Sequence, residues 1–319
     1  MNTATELMDP SFDLSNPALL FAAGGAVSSE YTAGFAPGSK LYPNLPADHY
    51  HADTDAMSCS MLKPLLVSPA HYQAELLKPG CSSKAMDFGS LVHALVLEPK
   101  SVGQDFAVYP GHADGRDKDY KAFLANNAGR LIVDEPTFAK GRRLAEKTLE
   151  RQVLGRPFGD FVAEGQPEVS IYAQEPTTGL MLRTRLDLYH PEVTFDLKST
   201  RHGQLRPFLR DAVEMHYDLQ AFMYTFVRTL YEGRERPAPF VIIALESAEP
   251  HSIHQISAGE TFLENGAKKL QEVLTIYTAC SQQNYWPDAS CDAVAEIEPW
   301  QNFSGSAPWK ESLVQPVLN

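Results

Sequence analysis

Alternating apolar and polar residues predict three consecutive strands near the middle of the chain. The strands run from Glu168 to Gln174, from Leu180 to Leu188 and from Val193 to Lys198. Glu-Pro-Thr-Thr-Gly separates the first two strands and Tyr-His-Pro the last two, and both sequences are typical of short turns. The pattern therefore predicts an antiparallel sheet of three strands joined by two hairpins.

Apolar residues at helical spacing lie on both sides of this sheet. The segment 83–97 predicts a helix that ends before Pro99. The other predicted elements are helices at 61–66, 70–77, 121–130, 136–154, 208–231 and 258–283, a surface loop at 104–119, and strands at 239–246 and 252–256. This order predicts an α/β fold, in which a central mixed β-sheet is flanked by helices and carries the chemistry at one edge.

Composition divides the chain into three parts. Residues 1–46 are rich in Ala, Gly, Ser, Pro and Asn without a sustained period, so they are expected to form a flexible or loosely packed arm. Residues 47–285 hold every predicted element and form the expected domain. Residues 286–319 show no regular pattern and are expected to be an irregular tail.

The composition indicates a soluble, cytoplasmic protein. Apolar residues make up 44% of the 319 residues and charged residues 21%, and no apolar run approaches the roughly 20 residues that a membrane helix needs. The four cysteines contain no CxxC pair, which argues against a zinc or iron–sulfur site. We therefore expect reduced thiols and no membrane partner.

The net charge of −13 argues against a nucleic-acid partner until its distribution is considered. Basic residues are concentrated in 140–156 and in 198–210, whereas the end of the chain is acidic. Two interpretations are open: a basic channel for DNA on an acidic body, or ordinary solvated helix faces.

Two aspartates and a lysine are expected to meet on the predicted sheet. Asp196 and Lys198 share one face of the third strand because side chains alternate along a strand, and the hairpin brings Asp187 beside them. Placing two carboxylates together is costly unless a cation lies between them. The arrangement predicts a magnesium-dependent nuclease centre.

Three further residues have both a structural and a functional interpretation. His93 lies inside an apolar helix, as buried histidines often do, but Gly89 leaves the same face open to close approach. Ser60 either caps its helix or binds a phosphate near the helix start. Gln220 and Tyr224 interrupt an otherwise apolar helix face.

These signals stand in a fixed order: GxxxH, an aspartate, a DxK triplet and QxxxY. They are formed by Gly89 and His93, Asp187, Asp196 to Lys198, and Gln220 with Tyr224. The set resembles the RecB/RecE branch of the PD-(D/E)xK nuclease superfamily. Residues 50–72 resemble the opening of phage RecE-like alkaline exonucleases, of the exonuclease VIII and lambda-exonuclease type. The resemblance extends from about Tyr50 to Gln283 and implies a restriction-endonuclease-like core.

The resemblance implies roles for individual residues. Asp187, Asp196, the Leu197 carbonyl and His93 would hold two Mg²⁺ ions, with Mn²⁺ as a substitute. Lys198 would orient or deprotonate the attacking water. The remaining implied roles are positioning of Lys198 or of a phosphate by Gln220 and Tyr224, support of a metal-bound water or of Lys198 by Glu168, and DNA binding by Ser60, Arg183, Arg185 and Arg201.

The resemblance also implies an activity and partners. The activity is processive 5′→3′ digestion of one strand from a double-stranded DNA end, leaving a 3′ overhang for recombination. The implied partners are DNA ends, a single-strand annealing protein and further copies of the chain in a ring, with a trimer favoured. The alternatives are an endonuclease or Cas4-like nuclease of the same fold, or an inactive DNA-binding recombination accessory.

Overall fold

A seven-stranded mixed sheet forms the centre of the computed structural model, which describes residues 38–78 and 83–290. The described strands are β1 (Lys40–Tyr42), β2 (Met57–Ser58), β3 (Phe106–Tyr109), β4 (Leu131–Asp134), β5 (Gln152–Val153), β6 (Arg156–Pro157), β7 (Gln166–Gln174), β8 (Met181–His190), β9 (Val193–Thr200), β10 (Phe240–Glu246) and β11 (Ile253–Ser257). The central sheet has the order β1-β7-β8-β9-β10-β11, and β2 also pairs with β8.

Helices surround this sheet. In the described residues they are α1 (Ala47–Ala52), α2 (Cys59–Leu62), which continues into a 3₁₀ turn (Lys63–Leu66), α3 (Pro69–Leu76), α4 (Lys84–Leu97), α5 (Val102–Asp105), α6 (Lys118–Asn126), α7 (Glu135–Glu150), α8 (Phe158–Glu164), α9 (Leu205–Glu214), α10 (Tyr217–Glu232) and α11 (Glu260–Gln283). None of these helices is long and apolar enough to cross a membrane.

Strand β9 lies between two neighbours of opposite direction. It pairs antiparallel with β8, as the hairpin sequence predicts, and parallel with β10. A parallel neighbour requires a crossover, and here α9 and α10 form it. The crossover carries α10 back over the strand that the chain has just left, which brings the helix residues near the end of β9.

Two large apolar clusters hold the helices on the sheet. In one, Leu91 and Val92 of α4 pack with Phe195 and Leu197 of β9, and all four are at most 1% exposed. The other joins α10 and α11 to the apolar residues of β7 and β8. Fully burying one such side chain contributes about 1.5–3 kcal/mol, so the clusters fix the position of α4 and α10 against the strands.

The chain bends where the sequence predicts one continuous helix over 208–231. The structure has two helices, α9 and α10, which are separated at His216, a residue in the left-handed region with a φ of 56°. Apolar residues continue across the break, so hydrophobic spacing alone does not reveal it. The predicted loop at 104–119 is also wrong in part, because it contains β3, which pairs in parallel with β4.

Two described segments outside residues 47–285 contact the rest of the fold. Strand β1, inside the expected arm, pairs antiparallel with β7. Trp286, the first residue of the expected tail, stacks on Tyr72 with ring centroids 5.1 Å apart. Residues 1–37 of the arm and 291–319 of the tail lie outside the described residues.

Candidate active site

Asp187 lies where the regular pairing of β8 and β9 ends. Leu188 pairs with Phe195, which brings Asp187 of β8 opposite Asp196 of β9. The Leu197 amide donates a hydrogen bond to Asp187 Oδ2 over 2.6 Å. The second hairpin therefore brings the two carboxylates to the same small region, as the strand alternation predicts.

Asp196 is held by a lysine and a glutamine. It is 1% exposed, and Lys198 Nζ lies 2.7 Å from its Oδ2. Gln220 Nε2, from α10, donates to Asp196 Oδ1 over 2.8 Å. Burial alone lowers the pKa of Lys198, but Asp196 and Asp187 outweigh it and raise that pKa, so the lysine stays protonated.

His93 reaches the site because α4 packs closely on β9. A Cβ atom at Gly89, one turn earlier, would lie 2.9 Å from Ser199 Oγ, which is closer than real contacts allow. The glycine therefore lets the helix approach the strand, and His93 Nε2 donates to the Leu197 carbonyl over 2.8 Å. Its Nδ1 lies 3.7 Å from Asp187 Oδ2. Close packing of α4 on β9 thus explains why a glycine precedes His93 by four residues.

Glu168 completes a group of possible metal ligands with His93 and Asp187. One ligand atom from each of the three lies within 4.8 Å of the other two. Glu168 occupies a left-handed backbone conformation within β7, with a φ of 55°, and Arg185 Nε donates to its Oε2 over 2.6 Å. Such strain persists only where the surroundings hold the residue in place, and it is concentrated at functional sites.

This group fits a divalent cation. Carboxylate oxygens and one imidazole suit Mg²⁺ or Mn²⁺. Metal-binding histidines usually donate their second ring nitrogen to a carbonyl or carboxylate, and the bond from His93 Nε2 to Leu197 leaves Nδ1 free to face Asp187 and Glu168. The described residues thus provide a place where a cation would offset two neighbouring carboxylates.

The residues that the resemblance implies as ligands make further contacts in the structure. The resemblance implies Asp187, Asp196, the Leu197 carbonyl and His93 as ligands, with Glu168 supporting a metal-bound water or Lys198. In the structure, Glu168 stands among the grouped ligands. The Leu197 carbonyl accepts from His93, and Asp196 is engaged by Lys198 and Gln220. The positive φ that directs Glu168 into the site leaves no trace in the strand pattern.

Asp187 resists ionisation. Burial, and then the nearby Asp196, raises the pKa of its carboxyl from 3.8 to about 7, while His93 and Lys198 act in the opposite direction. A bound cation would favour the ionised form. The strong perturbation beside a charged partner is what a functional carboxyl is expected to show.

A cavity of about 250 Å³ opens beside these residues. It is lined by Tyr50, His51, Ser58, Cys59, Ser60, Lys63, Glu168, Arg185, Asp187, Gln220 and Tyr224. The lining residues between 50 and 63 belong to the segment that resembles the opening of RecE-like exonucleases, but none of them is part of the GxxxH, DxK or QxxxY motif. Tyr217, which precedes Gln220 by three residues on the same side of α10, is a further residue of the site: its ring centroid lies 5.1 Å from Lys198 Nζ.

The predicted DNA-binding residues lie in different environments. Ser60 and Arg185 line the cavity, and the cap of α2 is Ser58 rather than Ser60. Arg201 is exposed just after β9. Arg183 is 2% exposed and packs over the Tyr50 ring, so in this position its guanidinium cannot contact DNA. Strand alternation predicts that Arg183 and Arg185 lie on the same face of β8. It does not reveal that Tyr50 covers the Arg183 guanidinium.

Comparison with known families gives the fold an independent assignment. The family model described as "PDDEXK-like domain of unknown function (DUF3799)" matches residues 58–297. The chain belongs to this PDDEXK-like family. Among curated proteins, none matches the sequence.

A solved structure is similar to this chain in fold. The crystal structure of a Eubacterium rectale protein, titled "Putative exonuclease", is similar with a TM-score of 0.54 and 16% identity. The similarity covers 85% of this chain and 99% of that chain. At this identity the likeness shows the fold alone. The predicted fold class, a PD-(D/E)xK core with a mixed sheet flanked by helices, is confirmed.

Proposed function

We propose that this PDDEXK-like protein is a Mg²⁺-dependent exonuclease that digests one strand of double-stranded DNA processively, 5′→3′, from an end. The observation that carries the proposal is the group of His93, Glu168 and Asp187 beside the Lys198–Asp196 pair. A nuclease of the PDDEXK-like family needs both parts, one to hold a cation and one to place positive charge at the phosphate. The exonuclease mode and the direction rest on the resemblance to RecE-like enzymes.

The chain's own residues support phosphodiester hydrolysis in distinct ways. When bound, a divalent cation supplies charge compensation at phosphorus and acidifies water. Lys198 is protonated, so we expect it to contact the phosphate as a cation and not to act as the base. Asp196 pairs with Lys198, and Gln220 in turn donates a hydrogen bond to Asp196. Arg185 holds Glu168 in the orientation that faces Asp187.

Linear and covalently closed circular DNA separate the possible activities. Each substrate is incubated with the protein in Mg²⁺ or in EDTA, and the assay is repeated with Lys198→Ala and with Lys121→Ala, an exposed lysine of α6 as matched control. We expect loss of linear DNA only, in Mg²⁺ only, with at least a ~100-fold lower rate for Lys198→Ala. Labels on the 5′ or 3′ end of one strand then give the direction.

Other outcomes have defined meanings. Cutting of closed circles makes the protein an endonuclease of this fold. Binding of linear DNA without hydrolysis makes it an inactive recombination accessory. Activity that persists in EDTA, or at full rate in Lys198→Ala, contradicts the proposed chemistry.

We propose, further, that the overhang passes to a single-strand annealing protein and that several copies of the chain encircle the DNA, a trimer being favoured. An exposed apolar strip on and just after α9 supports self-association, because subunit contacts commonly cover such strips. It consists of Leu205, Leu209, Val213 and Met215, which are 38–53% exposed. Sedimentation equilibrium of the wild type and of Leu209→Ser tests this: a monomer at every concentration contradicts the ring.

A further inference from the structure

Lys63 places a positive charge in the cavity wall that no catalytic motif includes. It begins the 3₁₀ turn that follows α2, and its side chain is half-buried. The same cavity is lined by Asp187 and Gln220. Lys63 therefore shares a space with residues of the candidate catalytic centre, although it comes from a distant part of the sequence.

The Lys63 ammonium has no anionic partner among the described residues. No carboxylate oxygen of residues 38–78 or 83–290 lies within 4.0 Å of it, and its close contact is the Tyr217 ring, with the centroid 5.5 Å away. Lys198 contacts the same ring at 5.1 Å, but Asp196 neutralises that lysine. Lys63 thus carries a charge that the fold leaves uncompensated.

The surroundings of Lys63 make this charge costly. Burial lowers the pKa of Lys63 and repulsion from Lys198 acts in the same direction, although Cys59, Asp196 and Asp218 act in the opposite direction. A partly buried cation without a partner is unfavourable unless an anion arrives to pair with it. The position of Lys63 is therefore better suited to binding an anion than to stabilising the empty fold.

A hydroxyl group lines the same cavity as Lys63. Ser60 is exposed, lines the cavity and contacts Ser58 Oγ over 3.0 Å through its own Oγ. An ammonium together with a hydroxyl donor matches the oxygens of a phosphate group. Among the anions that reach a nuclease centre, phosphates of the strand being cut are the abundant ones.

We propose that Lys63, assisted by Ser60, binds a second phosphate of the nucleic-acid strand, next to the one that is hydrolysed. This inference rests on the proposed nuclease function. The Tyr217 ring contacts both ammonium groups, the neutralised one of Lys198 and the unpaired one of Lys63. Two neighbouring phosphates of the strand would then contact two lysines. Lys198 is already paired with Asp196, whereas Lys63 has no carboxylate partner among the described residues.

Steady-state kinetics on duplex DNA test the proposal. Lys63→Met removes the charge and keeps the apolar stem, Lys63→Arg keeps the charge, and Lys121→Met is the matched control. We expect KM for Lys63→Met to rise roughly 10- to 100-fold with kcat within about threefold of wild type, because one charge-assisted hydrogen bond is lost. Lys63→Arg should restore KM to within about threefold. The slope of log KM against log salt concentration should fall by about 1 for Lys63→Met alone.

Substrates with a 5′-phosphate or a 5′-hydroxyl end identify which phosphate is bound. If it is the terminal phosphate, Lys63→Met loses any preference for the 5′-phosphorylated end. If it is an internal phosphate, KM rises equally for both ends. Wild-type values of KM and of the salt slope in Lys63→Met overturn the proposal.

Two controls keep the test decisive. Circular dichroism melting shows whether Lys63→Met folds, and if it does not, Ser60→Ala must raise KM several-fold instead, since Ser60 is exposed. If the wild type cleaves no DNA, the proposed nuclease function fails. If the wild type cleaves and the variants match it, only the second phosphate site fails.

Discussion

Asp187 is a buried carboxyl whose pKa links the stability of the fold to proton binding and to cation binding. Its raised pKa, about 7, means that the folded metal-free protein binds a proton that the unfolded chain releases at an ordinary pKa of 3.8. Between these values the folded state holds more protons, so this carboxyl makes folding less favourable as the pH rises. A cation that binds Asp187 displaces the proton and reverses that penalty.

Metal affinity should therefore depend on pH. We expect the dissociation constant for Mn²⁺ to rise up to about tenfold per unit as the pH falls below 7, because binding must release one proton. Isothermal titration calorimetry at several pH values, in buffers of different ionisation enthalpy, measures the affinity and the proton release together. Asp187→Asn should abolish both the tight binding and the proton release. Affinity that stays constant from pH 6 to 8 would contradict this account.

Glu168 differs from Asp187, because the unfavourable feature of Glu168 is its left-handed backbone conformation and not its charge. A left-handed conformation costs a residue with a side chain roughly 1–2 kcal/mol. We expect Glu168→Gln, which keeps the shape and removes the charge, to weaken Mn²⁺ binding at least about tenfold while changing the free energy of unfolding in EDTA by less than about 1 kcal/mol. Glu272→Gln, an exposed glutamate of α11, is the matched control. Unchanged affinity in Glu168→Gln would remove this residue from the site.

At the scale of elements, the distance between α4 and β9 determines whether His93 reaches the site. The close approach depends on Gly89, and its nearest obstacle would be one atom, Ser199 Oγ, since the Ser199 Cβ lies at an ordinary 3.8 Å. A methyl group at position 89 should therefore push the helix outward unless that oxygen is removed.

A rescue experiment tests this contact. We expect Gly89→Ala to lower nuclease activity or Mn²⁺ affinity about tenfold, because the bond from His93 to the Leu197 carbonyl lengthens. The double variant Gly89→Ala with Ser199→Ala should recover most of the loss, and Ser199→Ala alone should resemble the wild type. If the double variant is no better than Gly89→Ala, the contact does not control the helix position.

The sequence predicts those elements whose pattern is long and regular. Strands β7, β8 and β9 are recognisable because apolar and polar residue types alternate along their sequences. The bend at His216 and the short strand β3 are not, because the first leaves the apolar spacing intact and the second has only four residues. For the site, Asp187, Asp196 and Lys198 follow from alternation, whereas Glu168 as a ligand and Lys63 in the cavity wall depend on backbone geometry and tertiary packing.

At the scale of the whole molecule, cation binding should stabilise the fold. A ligand at about 100 times its dissociation constant contributes roughly 2.7 kcal/mol, which for a chain of this size raises the melting temperature by about 5 °C. We expect Mn²⁺ to produce this rise in the wild type and in His112→Ala, an exposed-loop control, but not in His93→Ala. Differential scanning fluorimetry with and without EDTA measures it. An equal rise in all three proteins would place the cation elsewhere.

The crossover from β9 to α10 has a consequence for the order in which the protein folds. Gln220 lies 24 residues from Asp196, whereas the bond between His93 and Leu197 spans 104 residues. Closing the shorter loop costs less entropy, so we expect β9 and α10 to dock before α4 does. Pulsed hydrogen exchange during refolding would contradict this order if α4 amides were protected first. On this pathway Gln220 reaches Asp196 early, while the cation site forms only when α4 arrives, so a partly folded chain has Asp196 and Lys198 in place before it can bind a cation.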